Sequence, residues 1–174
     1  EASWLKDRMD EFSGRTRTID PENDMDILKR DLKIQKFNQL PLSKSLMKRA
    51  TQVLPELNLI IMDKFHNYSG HCIVLPISDN TFKRLKEKKM TVTEITTDDL
   101  VNYKTQEKPV FFNYDITADC NDNVFYLSHQ YLKFFSDMQE RPYEFCAHTM
   151  RYDTYELNEQ IGLQLLWEGP VTYD

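Results

Sequence analysis

Glycine is scarce in this chain: four residues in 174, at Gly14, Gly70, Gly162 and Gly169. A glycine-rich loop that wraps a phosphate needs several close together, so functions built on such a loop start at a disadvantage. Cysteine is nearly as rare. Cys72, Cys120 and Cys146 are odd in number and far apart, which argues against a disulfide framework or a four-cysteine zinc site and points to a reducing, cytoplasmic setting. No apolar run approaches the length of a membrane span. The start, Glu1 to Met9, is charged and has no apolar h-region of a signal peptide. It opens on Glu rather than Met, as expected of a processed form or an excised fragment. Basic charge is also short: 22 Lys and Arg face 28 Asp and Glu, a net charge of −6, which disfavours nucleic acid as a partner.

What remains is a soluble globular balance, with 40% hydrophobic and 29% charged residues, enough for one ordinary domain with a helical extension. The first nineteen residues read as a helical stub and a linker. Asp20-Pro21-Glu22 is a helix start, with an acceptor to cap, a proline for the first turn and an acid for the positive end of the dipole. The helix it opens runs to about Phe37, with Met25, Leu28 and Leu32 at helical spacing. A second helix fits Ser43 to Leu54, between Pro41 and Pro55. Leu57 to Lys64 and His71 to Pro76 read as an antiparallel hairpin turned by Asn67-Tyr68-Ser69-Gly70.

Beyond the hairpin, a short basic-faced helix with Phe82 and Leu85 inward follows Ser78-Asp79, and another short turn or helix starts at Thr97. Val110 to Ala118 is the best strand in the chain, alternating an apolar column (Phe112, Tyr114, Ile116) with a polar one (Asn113, Asp115, Thr117). A helix from about Asn123 carries Val124, Leu127, Tyr131, Phe134, Phe135 and Met138 as a core stripe. Tyr143 to Met150 reads as a strand, Tyr152 to Gln160 as a helix and Leu163 to Glu168 as a final strand. This order predicts an α/β or α+β fold with a mixed, mostly antiparallel sheet flanked by helices. Residues 1–40 are expected as N-terminal helical extension and linker, and 41–174 as the main domain.

Several of these pieces resemble the GNAT-type N-acetyltransferases. The hairpin runs into Leu75-Pro76-Ile77-Ser78, then a charged helix and Thr93-Glu94-Ile95-Thr96-Thr97-Asp98-Asp99-Leu100, much as the family's Leu-Pro-Leu-Ser element precedes its Thr-x-Glu-Asp-Leu stretch. The tail Glu156-Leu157-Asn158-Glu159-Gln160-Ile161-Gly162-Leu163 is similar to the family's closing Leu-Tyr-Glu-Lys-Leu-Gly-Phe. The likeness spans roughly Leu42 to Trp167. It implies acetyl-CoA as cofactor, bound along Ile116, Ala118, Asn121, Asn123 and Val124, with no metal. Asp115 would accept the proton of an amine, directly or through water, in a cleft where its strand splays from the next.

Two departures go with the resemblance. The family's phosphate turn, Gln/Arg-x-x-Gly-x-Gly/Ala, falls on Ala118-Asp119-Cys120-Asn121-Asp122-Asn123-Val124-Phe125, which has no glycine, Arg or Lys and carries two acids where a pyrophosphate would lie. The family's tyrosine acid falls on Asn158, and Tyr155, one turn earlier on the same expected helix, could substitute for it. The resemblance therefore implies either a GNAT-like pseudoenzyme that binds a ligand or protein as a regulatory module, or an active acyl-CoA-dependent N-acyltransferase acting on a primary amine. The expected partners are an acyl-CoA, a protein or upstream domain, or a second copy of the chain, and no membrane. An α/β sensor domain of the same element order, with a closed sheet, is the alternative fold.

Other candidate residues have plainer readings. Cys146 and His148 share a strand face, but no carboxylate orients them as a nucleophilic pair. His66 and His71 flank the hairpin turn without a zinc spacing, and a solvated hairpin tip accounts for both. The basic run Lys83 to Lys89 suits the 3′-phosphate of CoA or simply a solvated face. The aromatics from Phe125 to Phe135 read as core rather than a base-stacking platform.

Overall fold

The computed structural model describes residues 2–34, 42–138 and 141–147, together with Glu156, Glu159 and Gln164. Its elements are α1 (Ala2–Gly14), β1 (Thr16–Thr18), α2 (Met25–Ile34), α3 (Lys44–Val53), β2 (Asn58–Met62), β3 (Tyr68–Ile77), α4 (Asp79–Lys86), β4 (Val110–Ala118), α5 (Asn121–Asp137) and β5 (Glu144–Ala147). The five strands form one sheet in sequence order, antiparallel from β1 to β4 and parallel between β4 and β5. Parallel neighbours need a crossover, and α5 supplies it. The expected mixed, mostly antiparallel α/β architecture is what forms.

Strand alternation sorts the core into two faces. Ile60, Ile73, Leu75, Ile77, Val110, Phe112 and Tyr114 pack with Met25 and Leu28 of α2 and Leu46, Met47 and Ala50 of α3. On the other side, Leu59, Ile61 and Cys72 meet Phe12 of α1 and Tyr126 and Leu127 of α5. Farther along that face, Phe111 and Val74 meet Tyr103, with Phe134, Phe135 and Phe145 packed around them. The helices behind the first face are fixed by caps. Ser43 Oγ accepts the Leu46 amide at 3.1 Å, and Ser78 Oγ accepts that of Thr81.

Four local expectations are corrected. Thr16–Thr18, expected as linker, is the edge strand beside β2, and the residues that follow it, Ile19, Met25 and Leu28, are buried. The helix expected from Asp20 begins at Met25. Asp20 first folds a turn, its carboxylate accepting the Glu22 amide at 2.9 Å and its carbonyl those of Asn23 and Asp24. Asp24 then holds the junction: its carboxylate accepts from both terminal nitrogens of the Arg17 guanidinium, at 2.6 and 2.9 Å, and from the Asp20 amide at 2.7 Å. The hairpin turn lies earlier than expected, where Asp63 Oδ1 accepts the amides of Phe65 and Asn67. Tyr68 to Gly70 is therefore already strand.

The fourth correction concerns β4. Asn113, Asp115 and Thr117 do not form one polar column. Val74 pairs with Asn113 and Ile73 with Asp115, so Tyr114 is an extra residue in the ladder. That bulge reverses the alternation: Asn113 faces α5, where its Oδ1 accepts the Tyr131 hydroxyl at 2.8 Å, whereas Asp115 and Thr117 turn to the α2 side. Ile116 for the same reason leaves the apolar column of Phe112 and Tyr114 and packs under α1 and α5.

Candidate functional site

A second bulge complements the first. In the β2–β3 ladder Ile61 pairs with Gly70 and Met62 with Tyr68, which leaves Ser69 as the extra residue. Without it, Tyr68 and His71, three apart on a strand, would point to opposite faces. With it, both lie on the α2 face, and the bulge in β4 brings Asp115 to the same place. The side chains then join. Tyr68 Oη lies 2.5 Å from Nδ1 of His71, and Nε2 of His71 lies 2.6 Å from Asp115 Oδ2. Asp31 of α2 closes the far end, hydrogen-bonded to Tyr68 and with Oδ2 3.8 Å from His71 Nδ1.

This polar line runs through an apolar layer. His71 is wholly buried, Asp115 is 10% exposed and Asp31 is 21% exposed. Burial holds the Asp31 carboxyl above its usual range, and the carboxylates of Asp115 and Asp119 push it the same way, against the pull of His71 and Tyr68. Burial also keeps the Tyr68 phenol protonated far past its ordinary range, reinforced by Asp31, Asp115 and Asp119. His71 is thus not the solvated tip expected for it. His66 is exposed in the turn as expected, at φ 63°, a left-handed conformation that glycine would take without strain.

The turn between β4 and α5 is different in kind. Asp119, Cys120, Asn121 and Asp122 are exposed, and Cys120, at the N-cap of α5, makes no side-chain capping bond. Asp122 accepts from the Arg8 guanidinium of α1 at 2.8 Å. Asn123 is buried, its Nδ2 donating to Ser69 Oγ at 2.7 Å, so its side chain is committed to the β3 bulge. Ala118 and Val124 are half-buried. Gly70 lets the strands meet here. A Cβ on it would fall 2.5 Å from the Thr117 carbonyl oxygen and 2.6 Å from Ala118 Cβ.

Of the catalytic pair expected from the sequence, Asp115 is in this cluster; Tyr155 lies outside the described residues, as do Asn158, Gly162 and His148. Cys146 is half-buried, with its Sγ 3.7 Å from the Phe111 carbonyl. Its thiol is pushed up to about 12 by burial and by Glu144, so no thiolate is available near neutral pH. The Lys83–Lys89 run is a solvated face: Lys89 pairs with Glu87 at 2.7 Å, and Lys86 Nζ lies 4.3 Å from the Phe82 ring centroid. A groove of about 580 Å³ beside it mixes Lys83, Lys86 and Lys108 with Asp79, Glu87 and Glu144, so it has no single sign of charge. In α5 the expected aromatic core holds except at Phe125, which is 71% exposed.

Sequence reading missed Asp31, Tyr68 and the burial of His71. Alternation counts faces by twos, and each bulge shifts the count by one, so no strict period could have joined these residues. Among the described residues no group of three His, Cys, Asp or Glu side chains is arranged to hold a metal, and no helix is long and apolar enough to cross a membrane. No protein-family model matches the chain, and no curated protein matches it.

Proposed function

We propose that this chain is a GNAT-like module whose amine side is retained and whose nucleotide side is degenerate, acting as a ligand- or protein-binding regulatory domain rather than an ordinary acetyl-CoA enzyme. The observation that carries this reading is the contrast at the two ends of one stretch of β4. At the bulge, Asp115 is held by His71 in a buried, hydrogen-bonded line. Four residues later the turn into α5 begins, with exposed Asp119 and Asp122 and no basic residue of its own. Carboxylates at that turn repel a pyrophosphate, while a cationic amine near Asp31 and Asp115 meets a field of the right sign.

The acyltransferase resemblance draws further support from topology. A helix links β4 to a parallel β5, the described pairing of these strands ends at Asn113 with Ala147, and the bulge follows at once. That geometry favours the second reading, an active N-acyltransferase using an acyl-CoA and a primary amine, with Asp115 as base. A cytoplasmic setting fits three cysteines that are all unbridged.

Calorimetry with acetyl-CoA at neutral pH separates the two readings. The regulatory reading expects no saturable heat at millimolar cofactor. A dissociation constant in the micromolar range, with acetyl transfer to an alkylamine lost in Asp115→Asn, would overturn it in favour of the enzyme.

A further inference from the structure

We propose that Tyr68 and His71 form a proton relay between Asp115 at the β4 bulge and Asp31 on α2, through which the buried site exchanges protons with solvent. The relay stands on the hydrogen-bonded line alone; only its use in handling an amine proton rests on the function proposed above.

Donors and acceptors along the line fix which protonation states it can hold. A phenol has one proton, so Tyr68 can donate either to Nδ1 of His71 or to Asp31, and whichever group it does not donate to must supply a proton to its oxygen. The 2.5 Å and 2.6 Å separations on the two sides of the imidazole and the Tyr68–Asp31 hydrogen bond allow two arrangements with the same number of protons. In one, Asp31 is protonated and donates to Tyr68, Tyr68 donates to Nδ1, and neutral His71 donates from Nε2 to the Asp115 carboxylate. In the other, Tyr68 donates to the Asp31 carboxylate, and the imidazolium donates from Nδ1 to Tyr68 and from Nε2 to Asp115. The first becomes the second when the Asp31 proton moves to Oη and the phenol proton moves to Nδ1. No heavy atom need travel.

The surroundings give the relay a direction. Among the described residues, the titratable groups placed against His71 are Asp31 from α2, Tyr68 from its own strand and Asp115 from β4, with Asp119 just beyond β4 acting on Asp31 and Tyr68. None of these is a cation, so an imidazolium here is balanced by carboxylates, with Asp115 and Asp31 the nearest. When Asp115 takes up a proton it loses its charge, and a wholly buried imidazolium left beside a neutral acid is costly. Its Nδ1 proton then passes to Tyr68 as the phenol proton passes to Asp31. Asp31, with 21% of its side chain exposed against 10% for Asp115 and none for His71, is the outlet to water.

The test is an NMR titration of the ligand-free chain labelled with ¹⁵N-histidine and ¹³C-aspartate. The relay predicts that the His71 ring nitrogens and the Asp31 carboxyl carbon change with one shared midpoint, because coupled sites titrate as a pair. In Tyr68→Phe the shared midpoint splits into two. In Asp31→Asn, which alters the most exposed member, the Asp31-linked step vanishes from the His71 nitrogens. Independent midpoints in the wild-type chain overturn the relay even if neither variant folds, and so does a shared midpoint that survives Tyr68→Phe. No cofactor or substrate enters the measurement. A negative result therefore leaves the GNAT-like reading standing, and failure of that reading leaves the relay standing.

Discussion

The bulge of β4 and the turn that follows it are a few residues apart, and they solve the problem of polar side chains in opposite ways. At the bulge, Asp115 is drawn under a helix and given a partner at 2.6 Å. At the turn, Asp122 stays 60% exposed and shares a proton donor with solvent, 2.8 Å from an Arg8 that is itself 42% exposed. The first is a polar site built into the core, where an unmatched group is expensive; the second is a solvated surface, where it is not. A domain that kept both halves of an acyl-transfer site would be expected to invest structure in both. Here the organised polar structure lies at the bulge.

The largest effect should come from removing the centre of the built site. His71→Ala leaves Asp115 a nearly buried carboxylate without its partner and opens a void under α2. Breaking a buried pair of this kind costs about 3–5 kcal/mol, read as a fall in the urea midpoint with an unchanged slope. A loss below about 1 kcal/mol would mean that water reaches Asp115 freely, and the contrast with the turn would collapse.

The next effect is in pH dependence. The Asp31 carboxyl is held above its usual range by burial and by Asp115 and Asp119, so the folded chain binds that proton more tightly than the unfolded chain does. Its contribution to stability is complete below the unfolded value of about 3.9 and is lost as pH rises through the raised folded value. Asp31→Asn imitates the protonated form, so stability relative to wild type should rise with pH across that window and then level off. Asp24 has the opposite sign. Burial opposes its charge, but the Arg17 guanidinium and the Asp20 amide outweigh that and hold its carboxyl below the usual range, so its contribution is lost as the solution is acidified. Unfolding curves over the carboxylate range, for wild type and Asp31→Asn, separate the two; a flat difference would remove the case for Asp31 as a strained acid.

These sites were unequally legible in the sequence. Val110–Ala118 as a strand, Ser43 and Ser78 as helix starts, and the α5 stripe followed from period and capping chemistry, which are local. Asp115 could be singled out by residue type, and the acidic turn by composition. The Tyr68–His71–Asp115 line could not be read, because it depends on Ser69 and Tyr114 being unpaired in their ladders. A bulge is decided by tertiary fit. Here the fit includes Gly70, which reads as a turn residue in sequence but serves the close approach of β3 to Thr117 and Ala118. The scarcity of glycine has a further consequence at His66 and Lys88, which occupy left-handed backbone at φ 63° and 59°, where a glycine-richer chain would have used glycine.

The smallest effect belongs to the turn, and salt is what makes it informative. Asp122→Asn removes an ion pair whose two members are both largely exposed, and such pairs are worth under about 1 kcal/mol at moderate ionic strength. At 1 M salt the screening length is about 3 Å, so the difference between wild type and Asp122→Asn should vanish there. The loss in His71→Ala should persist, because the groups it uncouples lie beneath α2, out of reach of mobile ions. Measuring both variants at 0.1 M and 1 M NaCl thus compares shielding at the two sites directly, without assuming any ligand. If the Asp122 difference survived 1 M salt, the Arg8–Asp122 pair would be sheltered from solvent. The turn would then be a second organised polar site, and the proposal of a degenerate nucleotide side would lose its support.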